Sequence, residues 1–216
     1  MNAFMQLLMT ASFLLLGGQA GDRQPASITE YNYSAVEENG KTRVGSLNFT
    51  RTKAFDREGM LEESRMYDRN DRLERVWTYV YDQDGNKKEK HCYGPDGKLN
   101  CCWVYEHNGQ PHPVTARMYN AEGELELRVT YNYDAFGNLI EEHSYDPENG
   151  LQGRWFYRYD ERGHKIMKEW YGPRDNLISQ RTYEYNEYDK EGNWLIQIIH
   201  KDGEPEELVV REIDYN

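Results

Sequence analysis

Three cysteines lie close together in this chain, Cys92, Cys101 and Cys102, with His91 beside the first. Thiols and imidazole at short spacing are the ligands of soft metal ions and, for thiols, the halves of disulfides. The turn formers Asp96 and Gly97 sit midway between Cys92 and Cys101. A hairpin centred there places those two thiols opposite each other on neighbouring strands and turns Cys102 to the other face. Two readings stand: a Cys92–Cys101 disulfide with Cys102 free, or three small half-buried thiols. A one-residue slip in register breaks the pairing. Adjacent strand residues point to opposite faces, so Cys101 and Cys102 do not readily share a tetrahedral ion, and no metal site is expected.

Carboxylates are abundant, with 38 Asp and Glu. A glycosidase needs two of them at fixed separation in a cleft, whereas most Asp here sit where turns begin. Asp82, Asp84 and Asn86 around Gly85 look like part of a calcium loop that lacks its distant bidentate Glu. The six His are scattered and form no zinc-hydrolase helix motif. No Gly-rich phosphate loop and no nucleophile elbow is present, so neither a catalytic residue nor a cofactor is expected. The aromatics remain. Trp77, Trp103 and Trp155 are candidate ligand-binding residues, because exposed rings stack on sugars and on partner side chains. The competing reading makes them core.

The elements that hold these residues follow from one period. Tyr79, Tyr105, Tyr131, Tyr157 and Tyr183 recur every 26 residues, as do Leu73, Leu99, Leu125, Leu151 and Leu177. Tyr67, Tyr93, Tyr119, Tyr145 and Tyr171 keep the same register. A fixed period of this size means a repeat architecture in which each unit completes its neighbour's core. Inside it runs an aromatic, then Asp, Asn or Gly, then usually Gly three residues later, as in Tyr81-Asp82 to Gly85 and Tyr133-Asp134 to Gly137. That pattern suits a type I turn closed by a left-handed residue. The Tyr145-Asp146 copy reaches its glycine, Gly150, one residue late. Between turns lie strand-length segments such as ERVWTYVYD and ELRVTYNYD with period-two alternation.

Each unit therefore holds two strands and two turns. The fold class is all-β: a repetitive antiparallel β-meander forming a long twisted or curled, solenoid-like sheet over residues 45–216. Whether it closes, spirals or stays open is not set by the pattern. Leu73, Trp77, Tyr79 and Tyr81 share one face by parity. Residues 21–44, with Pro25, Tyr31 and Tyr33 and no clear turn copy, read as a leader or cap.

The first 20 residues carry no side-chain charge, and an apolar stretch from Leu7 to Leu16 runs into Gly17, Gly18, Gln19 and Ala20. This reads as a signal peptide over residues 1–20. Export permits disulfides. The stretch is too short to span a bilayer as a helix, and no later segment does. A net charge of -12 argues against nucleic acid and anionic membrane surfaces.

The segments YDQDGN, YDAFGNLIEE, YDERGHKI and YDKEGNW resemble the YD repeat, also called the RHS (rearrangement hotspot) repeat, over roughly residues 50 to 216. The close, Gly192-Asn193-Trp194 followed by Arg211-Glu212-Ile213-Asp214-Tyr215, looks like that of short exported bacterial members. The resemblance implies an extended or spiralling antiparallel sheet. In large relatives such sheets wrap a toxin cargo or sit on cell surfaces. This chain lacks their length and brings no transferable activity. The function expected is a periplasmic or secreted, non-enzymatic binding or scaffold surface for a protein or glycan partner at the envelope. The alternatives are a carbohydrate-active hydrolase with carboxylates on a concave aromatic face, and a purely structural envelope component.

Overall fold

A computed structural model describes residues 23–216; the expected signal peptide lies outside them. The strands are β1 (Pro25–Glu38), β2 (Lys41–Phe55), β3 (Leu61–Asp68), β4 (Leu73–Tyr81), β5 (Lys87–Tyr93), β6 (Leu99–Glu106) and β7 (Thr115–Asn120). They continue as β8 (Leu125–Tyr133), β9 (Leu139–Tyr145), β10 (Leu151–Tyr159), β11 (Lys165–Tyr171), β12 (Leu177–Tyr188), β13 (Trp194–Lys201) and β14 (Glu204–Tyr215). Each pairs antiparallel with its sequence neighbours, and β1 also pairs with β14, from Pro25 against Tyr215 to Ser34 against Glu207. The meander is as expected. The solenoid-like sheet is not: the array is a closed barrel. An open array leaves two edges of unpaired N–H and C=O groups, and closure removes both. The segment read as a leader or cap supplies the stave that closes it, β1.

The turn unit works as its residues dictate. At Asp82 the backbone carbonyl oxygen accepts from Gly85 N–H at 3.1 Å, and the carboxylate accepts from the N–H groups of Asp84 and Asn86. Gly85 sits at φ 80, where a side chain is disfavoured. In the Asp146 copy the left-handed position belongs to Asn149, at φ 67, with Gly150 one step beyond. The unit is therefore not late; Asn replaces Gly, which Asn tolerates.

Alternation splits the barrel into two walls. Trp77 lies opposite Ser64, which lies opposite Lys53, which lies opposite Ile28. All four are buried, so this parity is inward. The outward parity carries charge on nearly every strand: Glu63 and Arg65, Glu89 and His91, Arg117, Glu126 and Arg128, Glu141 and His143, Arg154 and Arg158. A membrane barrel shows an apolar band outward, and each mid-bilayer Arg there costs about 2–4 kcal/mol. The charged outward positions of β3 to β10 form no such band. Among the described residues no helix is long and apolar enough to cross a membrane.

A second inward column fastens the units to each other. The hydroxyls of Tyr81, Tyr133, Tyr159 and Tyr185 donate to the carbonyl oxygens of Leu61, Pro113, Leu139 and Lys165 at 2.9–3.0 Å. Where this column reaches residue 107 the tyrosine is replaced, and His107 donates Nε2–H to the Lys87 carbonyl at 2.8 Å. The latch outlives the change of residue type because either residue presents one donor at that reach.

The closing seam is ionic. Glu30 on β1 meets Lys53 of β2 at 2.8 Å and Arg211 of β14 at 2.7 Å. Burial raises the Glu30 pKa, but Lys53 and then Arg211 outweigh it and hold the carboxyl at about 2.

Candidate functional site

The inward wall of the barrel is the candidate site. At ~4.8 Å per strand and a tilt of about 40°, a round ring of fourteen strands measures roughly 28 Å across. Side chains alone fill an interior of about eight strands. Part of the interior is filled by apolar side chains: Trp103, Tyr105, Ala116, Val129, Tyr131, Leu139 and Tyr157, on β6 to β10, form a buried cluster, and Ile28, Trp77, Ile199 and Val209 are buried on other strands. On β10 to β12 the inward Trp155, Lys165, Lys168, Trp170, Arg181 and Tyr183 are only half-buried.

Cations dominate this inner wall although the protein is acidic overall. Arg51 and Arg75 lie over Trp77 at 5.2 and 5.8 Å. Lys90 lies over Trp103 at 5.4 Å, and Lys87 between Tyr79 and Tyr105. Lys168 faces Trp155 and Tyr157, and Lys165 faces Tyr183 at 4.5 Å. Ring faces supply the negative potential that carboxylates usually supply. Inward carboxylates are fewer: Glu30 at the seam, Glu142 on β9, and Glu206 and Glu207 beside Arg181. Burial lowers the pKa of Lys87 to about 8 and of Lys165 to about 7, and lowers Lys90 and Lys168 as well. Burial also raises Glu142, whose Oε2 accepts from Tyr157 at 3.1 Å while its Oε1 is buried with no partner.

The sequence-derived residues fall as follows. Trp77 and Trp103 are 5% and 4% exposed, so they are core and offer no outer surface to a glycan. Trp155 faces the interior, stacked on Trp170 at 6.1 Å and 7°. Cys92 and Cys101 are direct ladder partners on the inner wall, as the hairpin argument requires, and both thiols are free. Cys102 points outward, where it meets Glu89 and His91 within 4.8 Å. The inward lysines escaped the sequence reading. Their signal was present: Lys165 and Lys168 stand three periods after Lys87 and Lys90.

No protein-family model matches the chain, and no curated protein matches it. Among solved structures, a porin-like protein from Bacteroides uniformis is similar with a TM-score of 0.50 and 11% identity, over 88% of this chain and 96% of that one. This is a likeness of fold. A chain of the TcdB2-TccC3-Cdc42 structure matches at a TM-score of 0.32 and 14% identity, over 84% of this chain but 11% of its own length. A LolA superfamily protein from Nitrosomonas europaea matches at 0.34 and 7%, over 91% of this chain and 87% of that one. Neither of these two bears on function.

Proposed function

We propose that this chain is a bacterial envelope protein, periplasmic or secreted, which binds a ligand without transforming it and holds it inside the barrel. We take it as a short relative of the YD-repeat sheets, on the recurrence of the aromatic-Asp-x-x-Gly turn. One observation carries the binding reading: cations and aromatic rings face inward and stay half-open on β10 to β12, behind a charged outer wall. An outer platform for a protein or glycan is less well served, because Trp77 and Trp103 are core and Trp155 faces inward.

Native mass spectrometry of the protein isolated from its own envelope tests this. The expected result is a bound small molecule released on unfolding. A mass equal to the bare chain under gentle conditions counts against the reading. The hydrolase alternative rests on Glu142, a buried carboxyl with a raised pKa beside Tyr157. Turnover of an envelope glycan that Glu142→Gln abolishes would replace binding with catalysis.

A further inference from the structure

We infer that the half-open wall of β10 to β12 binds an anionic amphiphile: a carboxylate, sulfonate or phosphate head on an apolar, ring-sized body. The inference rests on the interior-binding reading above and adds the ligand's chemistry.

The head site is set by Lys165, Lys168 and Arg181. Lys168 and Arg181 are direct ladder partners, both inward. Like charges directly opposite on one sheet face are destabilising, and Lys165 adds its repulsion to Lys168. Arg181 has carboxylate neighbours, Glu206 at 2.7 Å and Glu207 at 3.8 Å, but its Nε stays buried with no acceptor. Neither lysine has a carboxylate within ion-pair distance among the described residues; aromatic rings face them instead. Glu142 acts on both through space, but its Oε2 is engaged by the Tyr157 hydroxyl at 3.1 Å and it forms no ion pair with either lysine. A wall that concentrates cations, repels itself and keeps an unused donor is complementary to an anion.

The body site lies beside it. Trp155 and Trp170 stack nearly parallel, and the Trp170 Nε1–H is a second buried donor with no acceptor. Gly153 makes room for that indole: a Cβ there would stand 2.8 Å from Nε1 and 3.2 Å from the Tyr171 carbonyl oxygen. Flat apolar rings at the flank of a cationic cluster suit an amphiphile better than a free inorganic anion.

Two dyes of matched shape separate the possibilities. 1-Anilinonaphthalene-8-sulfonate carries the anion, and N-phenyl-1-naphthylamine has the rings without it. Fluorescence titration of the folded protein, with the native near-UV spectrum as a check on folding, is expected to show the sulfonate binding at least tenfold tighter. Lys165→Gln combined with Lys168→Gln is expected to remove that advantage and leave the neutral dye unchanged. Lys168→Arg alone, which keeps the charge, is expected to retain it. Equal affinity for both dyes, or an unchanged sulfonate affinity in the double variant, overturns the anion assignment and leaves interior binding standing. Failure of both dyes to bind overturns interior binding itself.

Discussion

Lys165 is held in the barrel against its own solvation, so removing its charge should strengthen the fold. Burial first, then the charges of Lys168 and Arg181, lower its pKa from 10.5 to about 7, and Glu142 opposes this weakly. The sign follows from proton counting. Below about pH 7 the folded and unfolded states both hold the proton, and the barrel bears the whole cost. Between 7 and 10.5 the unfolded state holds more protons, so stability rises with pH, and above 10.5 the cost is gone. At about 1.4 kcal/mol per unit the shift bounds that cost near 5 kcal/mol. Lys165 is only half-buried, so solvent screening reduces the cost to roughly 3 kcal/mol. Stacking over Tyr183 and Tyr157 returns about 1 kcal/mol. Lys165→Met keeps the apolar stem and should therefore gain about 2 kcal/mol at pH 6, or roughly 4–8 °C in Tm. Equilibrium urea unfolding of both proteins at pH 6 and pH 9.5 reads the difference, which should shrink at the higher pH. A variant less stable at pH 6, or a gain equal at both pH values, would refute the reasoning.

Three further outcomes are expected. Glu30 contributes stability above its unfolded pKa of 4.5 that is lost as pH falls through about 2. Glu30→Gln should then cost about 3 kcal/mol at pH 7, and the deficit should narrow in thermal melts between pH 4 and pH 2.5. A pH-independent deficit would mean that shape, not charge, holds the seam. Tyr159→Phe removes the hydroxyl that serves the Leu139 carbonyl at 2.9 Å and should cost about 1 kcal/mol by denaturant unfolding. No loss there would show that water replaces the latch. Cys92 and Cys101 are unbridged in the structure but face each other directly, so oxidation on export should join them, and thiol titration of the unfolded, non-reduced exported protein should then find one free thiol, Cys102. Three free thiols would rule out the bridge.

Local order was legible in the sequence because local chemistry decides it. Aromatic-Asp-x-x-Gly dictates the turn, the turn sets the register, and strict alternation puts Trp77, Tyr79 and Tyr81 on one face. The ends were harder to read. Asn39-Gly40, with both residues at positive φ, makes a tight two-residue hairpin. That pair is a strong signal, but it lies off the 26-residue register, and so β1 passed for a leader. Two matters belong to the tertiary structure alone. Pairing of Tyr31 with Val210 joins opposite ends of the molecule, and no local pattern specifies a contact of that span. Period two separates the faces of a strand but does not say which becomes concave. Only closure made the Trp77 face the interior, and with it turned Lys165, Lys168 and Arg181 from ordinary surface charges into an inward-facing, half-buried cationic wall.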